Sequence, residues 1–127
     1  MKLNHDCIRD LLLYIENKSS YSNLIYLNDI TLNGYSTEDI IYTADKLIEA
    51  KYLNCKYAKT FDSDLPDIKV QSITYEGHKF LDNIRDNNVW SNTKNILSKF
   101  TSTSIGIVSD IASQVISNII SKQLNLP

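Results

Sequence analysis

Glycine and proline are scarce in this chain of 127 residues, at three and two, and the sequence holds only two cysteines. There is no internal repeat and no low-complexity tract. Cys7 and Cys55 lack C-x-x-C spacing, so they make no zinc site by themselves. His5 and His78 raise the number of potential ligands to four, but no local pair has metal-ligand spacing. No metal and no other cofactor is expected, and each cysteine reads as a small buried hydrophobe. A run of ~18 apolar residues is also missing, which excludes a transmembrane helix. The opening "MKLNHDCIRD" carries charges where a signal peptide needs an apolar stretch. A reduced, cytoplasmic setting is the resulting expectation. Strong charge of either sign is absent as well: 13 Lys+Arg stand against 15 Asp+Glu, for a net charge of −2. Dedicated nucleic-acid binders are usually basic, so this balance opposes strong nonspecific DNA binding.

What is present is an ordinary globular composition, 43% apolar, at a length that suits one domain with a helical appendage. "NHDCIRDLLLYIENK" predicts a first helix, with Asn4 as N-cap and Asp6 in the first turn. Its apolar face is Cys7, Ile8, Leu11, Leu12 and Ile15. "SSYSN" breaks the pattern. "LIYLNDITLNGYS" predicts a short strand around Ile30 to Leu32 and a turn at "NG". In "YSTEDIIYTADKLIEAKYL", Ser36 and Asp39 form a capping box and Tyr35 and Ile40 a hydrophobic staple. Ile40, Ile41, Ala44, Leu47 and Ile48 give a core-facing stripe. Tyr42, Thr43, Asp45, Lys46 and Glu49 fall on the other side.

"YLNCKYAKTF" and "DIKVQSITY" predict a hairpin joined by the acidic link "DSDLP". Thr74 ends the second strand and caps the next helix, with Glu76 in its first turn. Gly77, one turn in, costs about 1 kcal/mol of helix propensity against alanine. Its lack of a Cβ lets the hairpin or the first helix approach closely there. Phe80, Leu81 and Ile84 continue that helix's buried stripe. Val89, Trp90, Ile96, Leu97 and Phe100 mark a further helix, weakened at its start by asparagines. "TSTSIG" is a loop, and "IVSDIASQVISNIISKQL" is a final amphipathic helix. Its apolar arc is Val108, Ile111, Ala112, Val115, Ile116, Ile119 and Ile120.

The expected fold class is α+β. The order helix, short strand, helix, hairpin, helix resembles a winged-helix domain over residues 1–88, with residues 52–75 as the wing and residues 89–127 as a C-terminal helical extension. "NHDCIRDLLLYIE", "GYSTEDIIYTADKLIEAKYL" and "ITYEGHKFLDNIRDNNVW" together resemble a family of small proteins, often encoded by phages or prophages. It is known as domain of unknown function 2513. The resemblance implies a fold and a mobile-element setting, and no activity. One departure is Lys51, which stands where a glycine would normally end the second helix.

No phosphate loop, nucleophile elbow or paired-carboxylate site is visible. His78 lies two residues from Glu76, and such positions point apart on a helix. Asp62, Asp64 and Asp67 lack the glycine and final glutamate of a calcium loop. A non-enzymatic protein is expected. As a DNA binder, it would present Thr37, Tyr42, Thr43 and Lys46 to bases, and Lys56, Lys59 and Lys69 to phosphates. The second helix opposes this with Glu38, Asp39, Asp45 and Glu49 against Lys46 alone. The favoured expectation is a regulatory module that binds a protein partner, consistent with its tyrosine-rich N-terminal part. The tail arc suits packing on its own chain or self-association as a dimer. Membrane-surface binding ranks below both, because the polar face carries Ser, Gln and Asn where interfacial helices carry Lys or Arg.

Overall fold

The computed structural model describes residues 1–59 and 64–125. The chain divides into two compact units, Met1–His78 and Lys79–Pro127. The division falls inside the helix after the hairpin, earlier than the 88/89 boundary expected from the sequence. Among the described residues the architecture is mixed α+β. It comprises α1 (His5–Lys18), β1 (Ile25–Tyr26), a 3-10 turn (Leu27–Asp29), α2 (Thr37–Glu49), β2 (Leu53–Ala58), β3 (Asp67–Ile73), α3 (Tyr75–Ile84), α4 (Asn87–Leu97) and α5 (Ile105–Gln123).

In the first unit, α1 starts where the Asn4 side chain accepts the Cys7 N–H at 3.1 Å. Its predicted face, Cys7, Ile8, Leu11, Leu12 and Ile15, is buried. Helix α2 begins with the capping box between Ser36 and Asp39, each side chain accepting the other's backbone N–H at 3.1 Å. Ile40, Ile41, Ala44 and Leu47 are buried, and Ile48 is half-buried. Each fully buried Ile or Leu side chain is worth roughly 1.5–3 kcal/mol. The two helices pack on each other, α1 against β3 and α2 against β2. Tyr35, just before the cap, donates its hydroxyl to Asp10 at 2.9 Å and so ties the start of α2 to α1. Burial, together with that hydrogen bond, pushes the Tyr35 hydroxyl well above the usual tyrosine range.

The sheet is antiparallel with β3 in the centre, in the order β1-β3-β2. The expected strand at Ile30 to Leu32 is displaced: the pairing occurs at Ile25 and Tyr26, opposite Val70 and Lys69. The chain then leaves the sheet in the 3-10 turn. There Asn28 substitutes for further strand pairing, accepting the Ile68 N–H at 3.1 Å and donating to the Pro66 carbonyl at 2.9 Å. A bulge falls at Gln71, because Asn54 pairs with Ser72 while Cys55 pairs with Val70. The extra residue re-phases β3, so Ile68, Val70 and Ile73 all face the core.

Helix α2 ends in a Schellman arrangement. The Tyr52 N–H reaches the Leu47 carbonyl and the Lys51 N–H reaches the Ile48 carbonyl, both at 2.9 Å. The motif requires a left-handed residue, and Lys51 adopts it, with φ +66°. A side chain in that conformation costs roughly 1–2 kcal/mol. Lys51→Gly should therefore stabilise the chain by about 1 kcal/mol, read as a higher urea midpoint; an unchanged or lower midpoint would show that the lysine carries no strain.

The second unit contains most of α3, then α4 and α5. Asp86 caps α4 by accepting the Val89 N–H at 2.9 Å, an anchor that the asparagine-rich start concealed. Ser104 caps α5 in the same way, accepting from Ile107 at 3.2 Å, so this helix begins inside the expected loop. Helices α4 and α5 pack together. Thr93 is buried at no polar cost because its hydroxyl donates to the Val89 carbonyl at 2.7 Å. No described helix is long and apolar enough to cross a membrane.

Candidate functional sites

The junction that closes the hairpin is the most constrained point of the first unit. Thr74 caps α3, its Oγ1 accepting the Gly77 N–H at 3.0 Å. The same hydroxyl donates to the Lys51 carbonyl at 2.7 Å, and the Thr74 N–H donates to the Tyr52 carbonyl at 2.9 Å. One residue thus fastens the start of α3 to the turn after α2. Gly77 lies directly over that turn. A Cβ there would overlap the Tyr52 carbonyl oxygen and sit 2.6 Å from Ile73 Cγ2. It is the hairpin side, at the entry to β2, that approaches the glycine.

The outer face of α2 differs from the expected base-reading surface at one position. Thr37 is exposed, and Tyr42 and Lys46 are half-buried. Thr43, only 2% exposed, faces the core. Its hydroxyl donates to the Asp39 carbonyl at 2.7 Å and lies 3.3 Å from Cys7 Sγ. Bonding to the carbonyl four residues back lets a polar residue turn inward, so Thr43 is withdrawn from any base edge. Lys46 is engaged by Glu49 at 3.0 Å and its ammonium lies 5.5 Å from the Tyr42 ring centre. The rest of that face holds the exposed Glu38, Asp39 and Glu49 and the half-buried Asp45.

On the hairpin, Lys56 and Lys69 are exposed and directly opposite one another. Lys69 also sits 5.9 Å from the Tyr26 ring centre, and the Tyr26 hydroxyl donates to Asp67 at 2.9 Å. A row of Tyr26, Lys69 and Lys56 therefore crosses the three strands. Lys59 is exposed beyond β2. Of the acidic link, Asp62 lies outside the described residues, Asp64 is exposed and Asp67 is taken up by Tyr26. Among the described residues no group of three or more His, Cys, Asp or Glu is placed to hold a metal. Burial pushes the Cys55 thiol up to about 12 and raises that of Cys7, against the opposing pull of Thr43. Both thiols are therefore poor nucleophiles near neutral pH.

The tail arc is unevenly covered. Val108 and Ala112 are fully buried. Ile111, Val115, Ile116 and Ile119 are half-buried, and Ile120 is 50% exposed. Ile96, Phe100, Ile107 and Leu124 are also exposed, as Tyr21, Leu24, Tyr57 and Tyr75 are in the first unit.

Sequence reasoning missed one feature, a cleft of about 820 Å³ in the first unit. Its walls are the segment between α1 and β1, the end of β3 and His78 of α3. It lies where β1 begins only at Ile25, opposite Val70, while β3 runs on to Ile73. His78 Nδ1 lies 3.7 Å from a Glu16 carboxylate oxygen. Strand lengths, which create this opening, are among the least legible properties of a sequence.

The family model described as "Hypothetical protein (DUF2513)" matches residues 2–104, from the start of the chain to the cap of α5. An uncharacterized protein of Haemophilus influenzae is 29% identical over 122 residues, 94% of this chain and 99% of that protein. No solved structure matches the chain. With its match running through both units, the chain belongs to the DUF2513 family.

Proposed function

We propose that the protein is a non-catalytic regulatory module of mobile-element type, which binds a protein partner and pairs with a second copy of itself through the helices after residue 89. The first unit serves as a winged-helix-like scaffold in this reading. The observation that carries it is the uncovered apolar surface of the second unit. Phe100, just after α4, is 58% exposed, and Ile107 and Ile120 of α5 are 46% and 50% exposed; α5 holds two charged residues, Asp110 and Lys122, to oppose association. Apolar side chains left this exposed are candidates for cover by a second copy.

A second reading, a small winged-helix DNA-binding regulator, is favoured by the exposed pair Lys56 and Lys69 on the hairpin. The charge of α2 weighs against it. Phosphate attraction supplies most nonspecific affinity, and a helix with four carboxylates and a single lysine already held by Glu49 repels the backbone that it would have to approach. The two readings separate in a gel-shift titration against random duplex DNA at physiological salt. The expected result is no submicromolar complex. A tight complex that weakens steeply with added salt would overturn the protein-binding reading in favour of the DNA one.

A further inference from the structure

We propose that the open edge of β2 pairs with an extended acidic segment of a partner protein, which joins the sheet as a further strand. The proposal rests on the protein-binding reading and gives it a location in the first unit. In the order β1-β3-β2 the sheet ends at β2. This strand runs over Leu53–Ala58 and pairs with β3 along its whole length. Along an antiparallel strand, alternate residues turn their N–H and C=O groups to opposite sides, so half of these groups point away from β3. Among the described residues no backbone group outside β3 bonds to Leu53–Ala58. No proline interrupts the strand, and Asn54, Lys56, Tyr57 and Ala58 are exposed. An exposed strand edge is a template for pairing with another chain, and strand addition is a recurring mode of peptide recognition.

The side chains on the two faces of β2 select the occupant. On the solvent face Lys56 lies opposite Lys69, and Lys69 opposite Tyr26. Both lysines are exposed. Asp67, the carboxylate on the same face of β3, is taken by the Tyr26 hydroxyl at 2.9 Å, and β2 itself holds no acidic residue. A carboxylate beside Lys56 on the incoming strand would extend this row with the opposite charge. Opposite charges stabilise cross-strand neighbours and like charges destabilise them. On the core face, cover fades along β2: Leu53 is buried, Cys55 half-buried and Tyr57 43% exposed. Apolar side chains of the incoming strand would lie beside Cys55 and Tyr57 and complete that cover. The fitting segment therefore alternates apolar and acidic residues. A second copy fits less well, because its own β2 brings another Lys56, with Lys59 just beyond it. Lysines on an edge strand oppose pairing of that kind.

The test uses the full chain and a panel of synthetic peptides of about ten residues, a full strand length, that alternate valine or tyrosine with glutamate. A matched panel carries lysine in place of glutamate. Titrated into isotope-labelled protein, the acidic panel should bind more tightly and should slow hydrogen exchange at alternate amides of Leu53–Ala58, those that point away from β3. Methylation of the peptide nitrogens that face β2 should abolish binding, and methylation of those that face away should not. Lys56→Glu, at an exposed position, should keep the native spectrum and weaken the acidic peptides at least about threefold relative to the basic ones. Absence of binding by the acidic panel, or binding indifferent to which nitrogens are methylated, overturns the proposal; a gel shift that still shows no DNA complex then leaves the protein-binding reading standing. Protection confined to other residues overturns this location. Slower exchange at the same amides on concentrating the protein alone would put a second copy on the edge and overturn the proposed partner.

Discussion

Gly77→Ala is expected to lower the stability of the protein by about 2–3 kcal/mol, although alanine is the better helix former. Propensity alone would favour the substitution by about 1 kcal/mol. The added methyl would meet backbone, because the Tyr52 carbonyl oxygen and Ile73 Cγ2 occupy its place. Backbone yields less readily than the end of a flexible side chain. This carbonyl is further held by the Thr74 N–H, and the Tyr52 N–H by the Leu47 carbonyl. Relief would require α3 to move off its cap at Thr74, so overpacking decides the sign. Gly77→Leu should cost more. Urea denaturation should show a lower midpoint with an unchanged slope. A midpoint equal to the wild type or above it would mean that the close approach carries no constraint.

Ile116→Asp combined with Ile119→Asp is expected to convert a dimer to a monomer while the first unit stays folded. Both isoleucines continue the arc beyond Ala112, where burial in their own chain becomes incomplete. Closing a second copy over them would add to each a part of the roughly 1.5–3 kcal/mol of full burial. Two carboxylates at those positions would instead have to be desolvated without partners. Because neither isoleucine is in the fully buried core, the substitutions leave Val108 and Ala112 in place. The expected readout is a lower sedimentation coefficient with retained helical circular dichroism. Sedimentation identical to the wild type would remove these residues from any interface.

The legible parts of the fold are those written in local pattern. Ser36 and Asp39 announce α2, its buried stripe follows the 3.6-residue period, and Thr74 with Gly77 marks the α3 junction. Thr43 was misplaced because pattern reading assigns every polar residue to the outside, whereas a threonine bonded to the Asp39 carbonyl brings its own acceptor inward. The first strand was misplaced because Asn28 meets Ile68 and Pro66 across a long stretch of chain, an interaction with no local signature. Lys51 was visible as a missing glycine, and the structure shows the left-handed backbone that the substitution entails. The extent of the tail arc was readable and its coverage was not, since coverage depends on where α4 ends against α5. The cleft was unreadable for a similar reason: it follows from β1 being shorter than its neighbour.

Self-association of the intact wild-type chain bears most directly on the proposed role. Sedimentation equilibrium over a concentration series should give a mass that rises from 14.5 kDa toward twice that value by tens of micromolar. A mass that stays at 14.5 kDa across the series would contradict the account.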